Sequence, residues 1–571
     1  MARARVRSTR WLLLACLASA CTHGKKPAPP REQAPAIAPA AVDSDWQAGR
    51  LPAAETEGTP VAGGELVVRL DADPPSLNTL IDPDRIASWV IRHRVYEGLV
   101  RSDPYDDPNY RIQPELAESW EISPDGRRYT FHLRKGVKFH DGEPFSARDV
   151  IATFDKIRDQ TTKAASTRSY FEELQSIAAP DEFTVVFVWK RPYFLTLDSI
   201  ADVIIQPAHV IAKLSGAQYN DAATNPLNRH PIGTGPFRFA SWDSHEKIVI
   251  ARNDGYYGDK PYLDRVVFRI VPDATVAQQL AERGELDLLY KIPTEAWMRL
   301  DPALQAHWYR SRFFSSNYGW IGWNELRPYF SDKNVRRALT MLVDRPGIID
   351  KLLHGLYKPT TCHFYWASKA CDPALKPLPF DPEAAAKLLD EAGWIDHDHD
   401  GVRDKNGQPF HFVFMLPSAS TEAARWAAKI KEDLSHVGIE MDLQRVEWAA
   451  FLKRLRDHDF DAATLAWSSD ARGDPTQIWH SSSIQDGSNY ISYRNPAVDK
   501  LIEDARAILD EDARDALYRK FGAILHDEQP YTFMYVRSEL DMINKRVKGA
   551  RATLYWWQFE RMWIDPSVKG R

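Results

Sequence analysis

The segment 396–401, DHDHDG, has residue types that could bind a metal ion. Carboxylates at positions 1, 3 and 5 and a glycine at position 6 imitate the start of an EF-hand calcium loop. Such a loop also needs a bidentate Glu at position 12, and Gly407 occupies that position. The two histidines offer imidazoles to zinc or nickel, but four ligands at a supporting spacing are not visible. We therefore predict a solvated acidic turn and no metal site.

Cys362 and Cys371 enclose a short loop and could form a disulfide. In an oxidising compartment, closing such a loop stabilises a fold by about 2 to 3 kcal/mol in the chain-entropy model. Two buried thiols are the alternative. Because the CxxC spacing of redox-active cysteines is absent, we predict a bridge that stiffens the fold and does no redox chemistry.

The motifs of known catalytic sites are missing. The sequence contains neither a GxSxG elbow nor an HExxH zinc motif, and His140-Asp141 lies in a turn with no nucleophile placed beside it. No Gly-rich loop continues as GKS, GKT or GxGxxG, so no phosphate or dinucleotide cradle is expected. We predict a protein that is not an enzyme and needs no cofactor. A hydrolase whose triad assembles only in space remains an alternative, and a chaperone-like binder is a third class.

The composition is that of a soluble globular protein. The chain has 571 residues, 44% hydrophobic and 11% aromatic, and this length suggests about three domains. Lys and Arg total 73 against 79 Asp and Glu, which gives a net charge of −6. Because no excess of positive charge is available to follow a phosphate backbone, we predict no nucleic-acid partner.

Residues 1–20 have the pattern of a secretory signal peptide. Four arginines precede the apolar run Trp11 to Ala20, which is shorter than the roughly 20 residues of a membrane-spanning helix. Cys21 follows and resembles the acylated cysteine of a bacterial lipoprotein box, although Ala18 stands where such boxes usually carry Leu. Cys16 fits the box better but leaves only a short apolar run before the cut. We predict lipidation at Cys21, with ordinary cleavage into the periplasm as the alternative.

Residues 21–62 are predicted to be a disordered linker between the lipid anchor and a globular body. Residues 22–62 contain 7 Pro and 10 Ala with almost no large apolar side chains, so they cannot bury enough surface to fold. In an extended polyproline form, such a segment reaches on the order of 100 Å.

From Gly63 onward the sequence alternates between helical and strand periodicity, as in an α/β protein. One helix is predicted to begin after its N-cap Ser146, and another to begin after its N-cap Asp381 and to end at Gly393. Mixed sheets flanked by helices, in more than one lobe, are the expected architecture. The other predicted elements are a strand at 129–133, a helix at 426–437, a strand at 439–443, a helical stretch at 451–455 and a strand at 461–467.

Four segments of the body carry a resemblance to a known family. They are PELAESWEISPDGRRYTFHLRKGVKFHDGEPFSARDV (114–150), PIGTGPFRF (231–239), DKNVRRALTMLVDR (332–345) and DPEAAAKLLDEAGW (381–394). These segments resemble the family 5 extracellular solute-binding proteins, which are the peptide- and nickel-binding receptors of bacterial ABC importers. The resemblance runs from about Gly63 to Ile564, with the segments in the order of the family.

This resemblance implies the bilobal α/β fold of type II periplasmic binding proteins, peptide-binding subclass, with an extra inserted domain. Lobe I would be discontinuous, at 63–90, 193–316 and 537–571. The inserted domain II would take 91–192, and lobe III would take 317–536. The two crossovers between lobes I and III would then form a hinge.

The resemblance also implies a function. Two lobes would close around a solute, and the permease subunits of an ABC importer would distinguish the loaded receptor from the empty one. The implied ligand is a small peptide, and the implied place is the periplasm, on a bacterial membrane through the lipid anchor. We expect the receptor to be a monomer. An oligosaccharide or a metal chelate, taken up by the same mechanism, remains an alternative ligand.

Five residues are implied to contact the ligand. Asp470 matches the family position whose aspartate pairs with the peptide amine. Trp467 and Trp448 match aromatic positions that line the pocket of oligopeptide receptors, and Trp323 and Asn324 match the strand whose backbone runs beside the ligand.

The position that would bind the ligand carboxylate departs from the family pattern. Dipeptide receptors carry an arginine where this chain has Pro417, and oligopeptide receptors carry arginines where it has Leu455 and Thr464. The possible substitutes, which the sequence alone does not distinguish, are Arg425, Arg454, Arg456 and Arg472.

Overall fold

The computed structural model describes residues 58–300, 306–469, 471–554 and 556–568. The predicted signal peptide 1–20, the lipidation site Cys21, the linker as far as residue 57, and Asp470 lie outside the described residues. Within the described residues, no helix combines the length and the apolar character that crossing a membrane requires.

The strands are named in chain order. They are β1 (Glu65–Leu70), β2 (Val100–Ser102), β3 (Ile112–Pro114), β4 (Ala117–Ile122), β5 (Arg128–Leu133), β6 (Leu174–Asp181), β7 (Thr184–Trp189), β8 (Phe237–Asp243), β9 (Lys247–Arg252), β10 (Arg265–Ile270), β11 (Leu288–Leu289), β12 (Trp308–Trp323), β13 (Lys358–Pro359), β14 (Asp404–Lys405), β15 (Gln408–Pro409), β16 (His411–Pro417), β17 (Glu440–Val446), β18 (Ala462–Ser468), β19 (Tyr531–Asn544), β20 (Val547–Lys548), β21 (Ala552–Thr553), β22 (Trp556–Trp557) and β23 (Trp563–Ile564).

The helices are named in the same way. They are α1 (Arg85–Ile91), α2 (Ala147–Arg158), α3 (Ala165–Ser169), α4 (Thr196–Ala201), α5 (Ala208–Ile211), α6 (Gly216–Asn220), α7 (Ala274–Glu282), α8 (Thr294–Met298), α9 (Lys333–Met341), α10 (Arg345–Gly347), α11 (Pro382–Glu391), α12 (Thr421–Ser435), α13 (Trp448–Arg456), α14 (Thr476–Trp479), α15 (Ser483–Asp486), α16 (Pro496–Arg506) and α17 (Glu511–Glu528), with a 3₁₀ turn at Pro226–Asn228 and a π-helical turn at Ile348–Leu352.

The chain divides into two units. Unit 1 contains Phe314–Ser538, and unit 2 contains the described residues before Phe314 and after Ser538. Within the described residues, the chain passes from one unit to the other twice, once inside β12 and once inside β19. The predicted lobe limits at 316/317 and 536/537 fall in the same two strands, and the assignment of the lobes stays a prediction.

Unit 2 is built on a mixed sheet. Its central strand β1 pairs in parallel with β10 and β11, while β9 and β8 continue the sheet in antiparallel pairing. A separate antiparallel sheet has the order β4-β5-β7-β6. A single hydrophobic cluster includes Leu66 and Phe268 of the first sheet and Phe131 and Phe187 of the second. The predicted inserted domain 91–192 therefore shares its core with the rest of unit 2, and its status as a separate domain stays a prediction.

Unit 1 also has mixed strand pairing. Strand β16 pairs in parallel with both β17 and β18, and β18 pairs in antiparallel with β12. Helices α12 and α13 are the connections that lead from β16 to β17 and from β17 to β18. Neighbouring parallel strands need such crossover connections, because a tight turn can join only antiparallel strands.

The local signals in the sequence predicted these elements correctly. Ser146 begins α2 with a capping box to Asp149, and the Asp381 carboxylate accepts a hydrogen bond from the Ala384 N–H at the start of α11. Gly393 lies just beyond α11 with a φ of 82°, a left-handed conformation that favours glycine. The strands predicted at 129–133, 439–443 and 461–467 are confirmed as β5, β17 and β18, and the helices predicted at 426–437 and 451–455 as α12 and α13.

Candidate functional site

The Trp467 indole lies in an aromatic stack inside unit 1. Its ring centroid is 5.8 Å from that of Trp320 and 5.9 Å from that of Tyr490, with interplanar angles of 24° and 27°. Its Nε1–H donates to the Tyr531 hydroxyl at 3.4 Å. Only 3% of the residue is exposed. The Trp467 indole is therefore held by core packing, and its contact with a ligand stays a prediction.

The chain is fixed at the residue before Asp470. The Ser469 N–H donates to the Ser316 carbonyl at 3.1 Å, and the Ser469 hydroxyl donates to the His363 carbonyl at 2.5 Å. These two bonds attach the end of β18 to β12 and to the loop around His363. The ligand role of Asp470 itself stays a prediction.

Trp323 and Asn324 are committed to the interior of unit 1. The Trp323 Nε1–H donates to Thr532 Oγ1 at 3.1 Å, and the residue is 1% exposed. The Asn324 amide donates to the carbonyls of His458 and Phe460 at 3.1 and 2.7 Å, and the residue is 0% exposed. These bonds tie the end of β12 to the segment before β18. Ligand contact by either residue stays a prediction.

Trp448 lies at the surface end of α13. Glu447 caps this helix by accepting hydrogen bonds from the N–H groups of Ala449 and Ala450. The half-buried Trp448 ring stacks on Phe451, with centroids 6.0 Å apart and an interplanar angle of 11°. Among the described residues, no ring contact joins Trp448 to Trp467, and the shared pocket role of these two residues stays a prediction.

Cys362 and Cys371 form a disulfide, with an S–S distance of 2.03 Å. Inside the loop that they close, His363 Nδ1 accepts hydrogen bonds from the Tyr318 hydroxyl at 2.8 Å and from Trp479 Nε1–H at 3.1 Å. Burial lowers the pKa of His363 to about 3, so the imidazole is neutral at physiological pH and carries its proton on Nε2. The loop is thus hydrogen-bonded to β12 and α14.

The four arginines suggested as carboxylate binders differ in their surroundings, and a ligand role for any of them stays a prediction. Arg454 donates to the Asp459 carbonyl at 2.9 Å and to Gln444 Oε1 at 2.5 Å. Arg456 is exposed in the last turn of α13. Arg425 and Arg472 each make further interactions of their own.

Lys358 is a cation that the sequence analysis missed. Its Nζ lies 3.8 Å from the centroid of the Trp366 ring and 5.8 Å from that of Phe314. Burial lowers the pKa of Lys358. Its local sequence, LYKPT, contains no signal that distinguishes it from a surface lysine, because its aromatic partners lie outside this segment, 8 residues later and 44 residues earlier in the chain.

The acidic segment 396–401 forms a turn. One carboxylate oxygen from each of Asp396, Asp398 and Asp400 lies within 4.8 Å of the others. Asp396 accepts a hydrogen bond from the Gly401 N–H at 3.1 Å, and Asp400 accepts one from the Val402 N–H at 2.8 Å. The structure thus contains the predicted acidic turn.

Comparison with known proteins gives a match along most of the chain. The family described as bacterial extracellular solute-binding proteins, family 5 Middle, matches residues 111–489. The oligopeptide-binding protein AppA of Bacillus subtilis (strain 168) is 32% identical over 524 residues, which cover 88% of this chain and 93% of that protein. The dipeptide-binding protein of Escherichia coli (strain K12) is 29% identical over 468 residues, which cover 77% and 83% of the two chains.

A solved structure shares the fold. The structure of AppA from Bacillus subtilis in complex with a nonapeptide matches with a TM-score of 0.68 and 29% identity, over 89% of this chain and 100% of that one. The predicted α/β bilobal type II fold is confirmed by this likeness and by the mixed strand pairing within each of the two units. The protein belongs to the bacterial extracellular solute-binding proteins of family 5.

Proposed function

We propose that this protein is the substrate-binding receptor of an ABC importer and that its solute is a small peptide. The observation that carries the proposal is the 32% identity to an oligopeptide-binding protein over 93% of that relative's length. The proposed mechanism is the hinge closure that the family resemblance implies, after which permease subunits accept the loaded receptor.

Asp470 is proposed to bind the peptide ammonium. Its neighbour Ser469 is held by two hydrogen bonds, from its backbone N–H to Ser316 and from its hydroxyl to His363. An anchored neighbour supports this role because it restricts where the next side chain can reach. A desolvated carboxylate would select ligands with a free amino terminus.

The test is calorimetric titration with alanine oligomers from dialanine to nonaalanine, each with a free or an acetylated amino terminus. Asp470→Asn should weaken binding of the free-amine oligomers by about 2 to 5 kcal/mol, because a buried ammonium would lose its counter-charge. The acetylated oligomers should bind wild type and variant with similar, weak affinity.

Asp350→Asn is the matched control, since Asp350 is an exposed carboxylate of the same unit. Equal affinity of wild type and Asp470→Asn for free-amine oligomers would remove Asp470 from the site. Binding of an oligosaccharide or a metal chelate, with no peptide bound, would overturn the choice of peptide. Mass spectrometry of the molecules that co-purify identifies the solute directly.

Binding without turnover is part of the proposal. After incubation with the receptor, the oligomers should be recovered intact and in stoichiometric amount. Accumulation of shorter oligomers that persists after contaminating protease has been removed would indicate a hydrolase instead.

We also propose that the mature protein is a periplasmic lipoprotein anchored through Cys21. Four N-terminal arginines, a short apolar run and this cysteine support the proposal. Metabolic labelling with a radioactive fatty acid should mark the wild type and leave Cys21→Ser unmarked. Labelling of Cys21→Ser but not of Cys16→Ser would move the anchor to Cys16.

A further inference from the structure

The Lys358 ammonium packs against the rings of Phe314 and Trp366, which we call the aromatic floor. Strand β13 holds the lysine opposite Val536 of β19. The Phe314 and Trp366 rings meet edge to face, with centroids 5.6 Å apart. The ammonium stands over both rings, at 3.8 and 5.8 Å from their centroids. A cation–π contact of this kind stabilises the ammonium from one side and leaves its other donors available.

Two donors of this group lack an oxygen acceptor. In the part of the chain that the structure describes, the Lys358 ammonium has no hydrogen bond or ion pair with an oxygen, and the buried Trp366 Nε1–H has no acceptor. Other lysines of unit 1 donate hydrogen bonds to oxygen atoms. Lys405 Nζ donates to the Ala392 carbonyl at 2.6 Å, and Lys369 Nζ donates to Asp512 at 3.0 Å. A buried N–H without an acceptor, such as that of Trp366, is costly, and an added acceptor would relieve this cost and also pair with the half-buried Lys358 ammonium.

The chemistry of the missing acceptor follows from the donors. An ammonium and an indole N–H beside each other offer positive charge and N–H groups but no acceptor. Their best complement is an anion with two acceptor oxygens, and a carboxylate meets this description. A carboxylate is also the group for which the family arginines are absent, at Pro417, Leu455 and Thr464.

The group lies on the same strand as the residue that holds Ser469, the neighbour of Asp470 in the sequence. Phe314 and Ser316 are two residues apart in β12, so their side chains lie on one face of the strand, about 6.6 Å apart along it. Phe314 forms part of the floor under Lys358, and the Ser316 carbonyl holds the N–H of Ser469. A cationic group and the residue that precedes a carboxylate therefore attach to the same short stretch of β12.

We propose that Lys358 Nζ and Trp366 Nε1–H bind a carboxylate of the peptide solute, either its carboxyl terminus or an acidic side chain. This assignment rests on the proposed peptide-receptor function. It gives unit 1 the carboxylate-binding group that the arginine positions of the family do not supply in this chain.

The experiment titrates wild type, Lys358→Met and Trp366→Phe with the alanine oligomers and with their carboxyl-terminal amides. Wild type should prefer the acid to the amide, and Lys358→Met should bind the acid about 10- to 100-fold more weakly while its affinity for the amide stays unchanged. Trp366→Phe keeps the floor and loses the N–H, so a loss of about 3- to 10-fold is expected. Lys358→Arg should retain the preference for the acid.

A second pair of probes distinguishes the source of the carboxylate. Ala-Glu-Ala amide and Ala-Gln-Ala amide differ only in the side-chain charge. If Lys358→Met loses a preference for the Glu peptide that wild type shows, the site reads an acidic side chain. If it loses only the preference for acid over amide in the oligomers, the site reads the carboxyl terminus. Either result supports the proposal.

Lys351→Met is the matched control, because Lys351 is an exposed lysine of the same unit. Unfolding midpoints establish that the variants fold, and Lys358→Arg serves as the charge-retaining comparison if Lys358→Met does not. Identical affinities of wild type, Lys358→Met and Lys351→Met for all probes would overturn the inference, while a loss in Asp470→Asn would leave the receptor function standing. If wild type bound no peptide probe and no peptide co-purified, the proposed function would fail, and this inference with it.

Discussion

Trp557 Nε1–H donates a hydrogen bond of 2.6 Å to Asp541 Oδ2 in the interior of unit 2. The other carboxylate oxygen accepts the Lys291 N–H at 2.9 Å. Burial, with a smaller contribution from the charge of Glu539, raises the pKa of Asp541 to about 7. The carboxyl group belongs to β19, three residues beyond the point at which this strand enters unit 2. This strand therefore carries a group that titrates near neutral pH.

Asp541→Asn is expected to change the pH dependence of stability. The folded-state pKa of about 7 lies above the ordinary value of 3.8 for an aspartate, so between these pH values the folded protein binds a proton that the unfolded chain releases. The contribution of Asp541 to stability is therefore greatest at low pH and falls as pH rises from about 4 to 7. Relative to wild type, the variant should gain about 2 to 4 kcal/mol between about pH 5 and pH 8. Urea unfolding of both proteins at the two pH values measures this gain. A difference that does not vary with pH would contradict the assignment.

Removal of the disulfide should destabilise unit 1. Cys362 and Cys371 are 9 residues apart, and the bridge between them restricts the unfolded chain. The double variant Cys362→Ser, Cys371→Ser should lose about 2 to 3 kcal/mol of unfolding free energy. Dithiothreitol should lower the urea midpoint of the wild type and leave that of the double variant unchanged. An equal response of both proteins to the reductant would indicate that the bridge contributes nothing.

Asn324→Ala should be strongly destabilising even without a ligand. The substitution leaves the carbonyls of His458 and Phe460 without the buried amide that now donates to them. The Phe460 carbonyl keeps a hydrogen bond from Arg327 Nε at 3.1 Å, whereas the His458 carbonyl and the Leu326 N–H each lose the Asn324 amide. Each polar group that loses its partner costs about 1 to 3 kcal/mol, so a total loss of about 2 to 4 kcal/mol is expected. Gln485→Ala, which truncates an exposed amide of the same unit, is the control and should stay within about 0.5 kcal/mol of wild type. A small effect at Asn324 would show that these bonds are replaced by water.

Substitution of two tryptophans separates a packing role from a ligand role. Trp467→Ala removes the buried ring between Trp320 and Tyr490 and should cost about 3 to 5 kcal/mol of stability in the free protein. Trp448→Ala removes a half-buried ring, so it should cost clearly less. If Trp448 contacts the peptide, its loss should appear in calorimetric affinity. The reverse order of the two stability losses would contradict the packing described for unit 1.

The sequence by itself determined the elements and the family. Helix caps act within a few residues, so the caps Ser146 and Asp381 predicted α2 and α11. The alternation of apolar and polar residues at 129–133 is equally local and predicted β5. The disulfide was predictable for the same reason, because its two cysteines are close along the chain. The family became recognisable from four segments that are each continuous in sequence.

Only the tertiary structure decided which side chains are packed in the core and which polar groups are left without a hydrogen-bond acceptor. The neighbours of Trp467 are Trp320 and Tyr490, one 147 residues earlier in the chain and the other 23 residues later, so local pattern could not identify the stack. Lys358 was indistinguishable from a surface lysine until Phe314 and Trp366 were seen beneath it. Burial depends on residues that are brought together only when the strands pair, and it is burial that makes a missing acceptor costly.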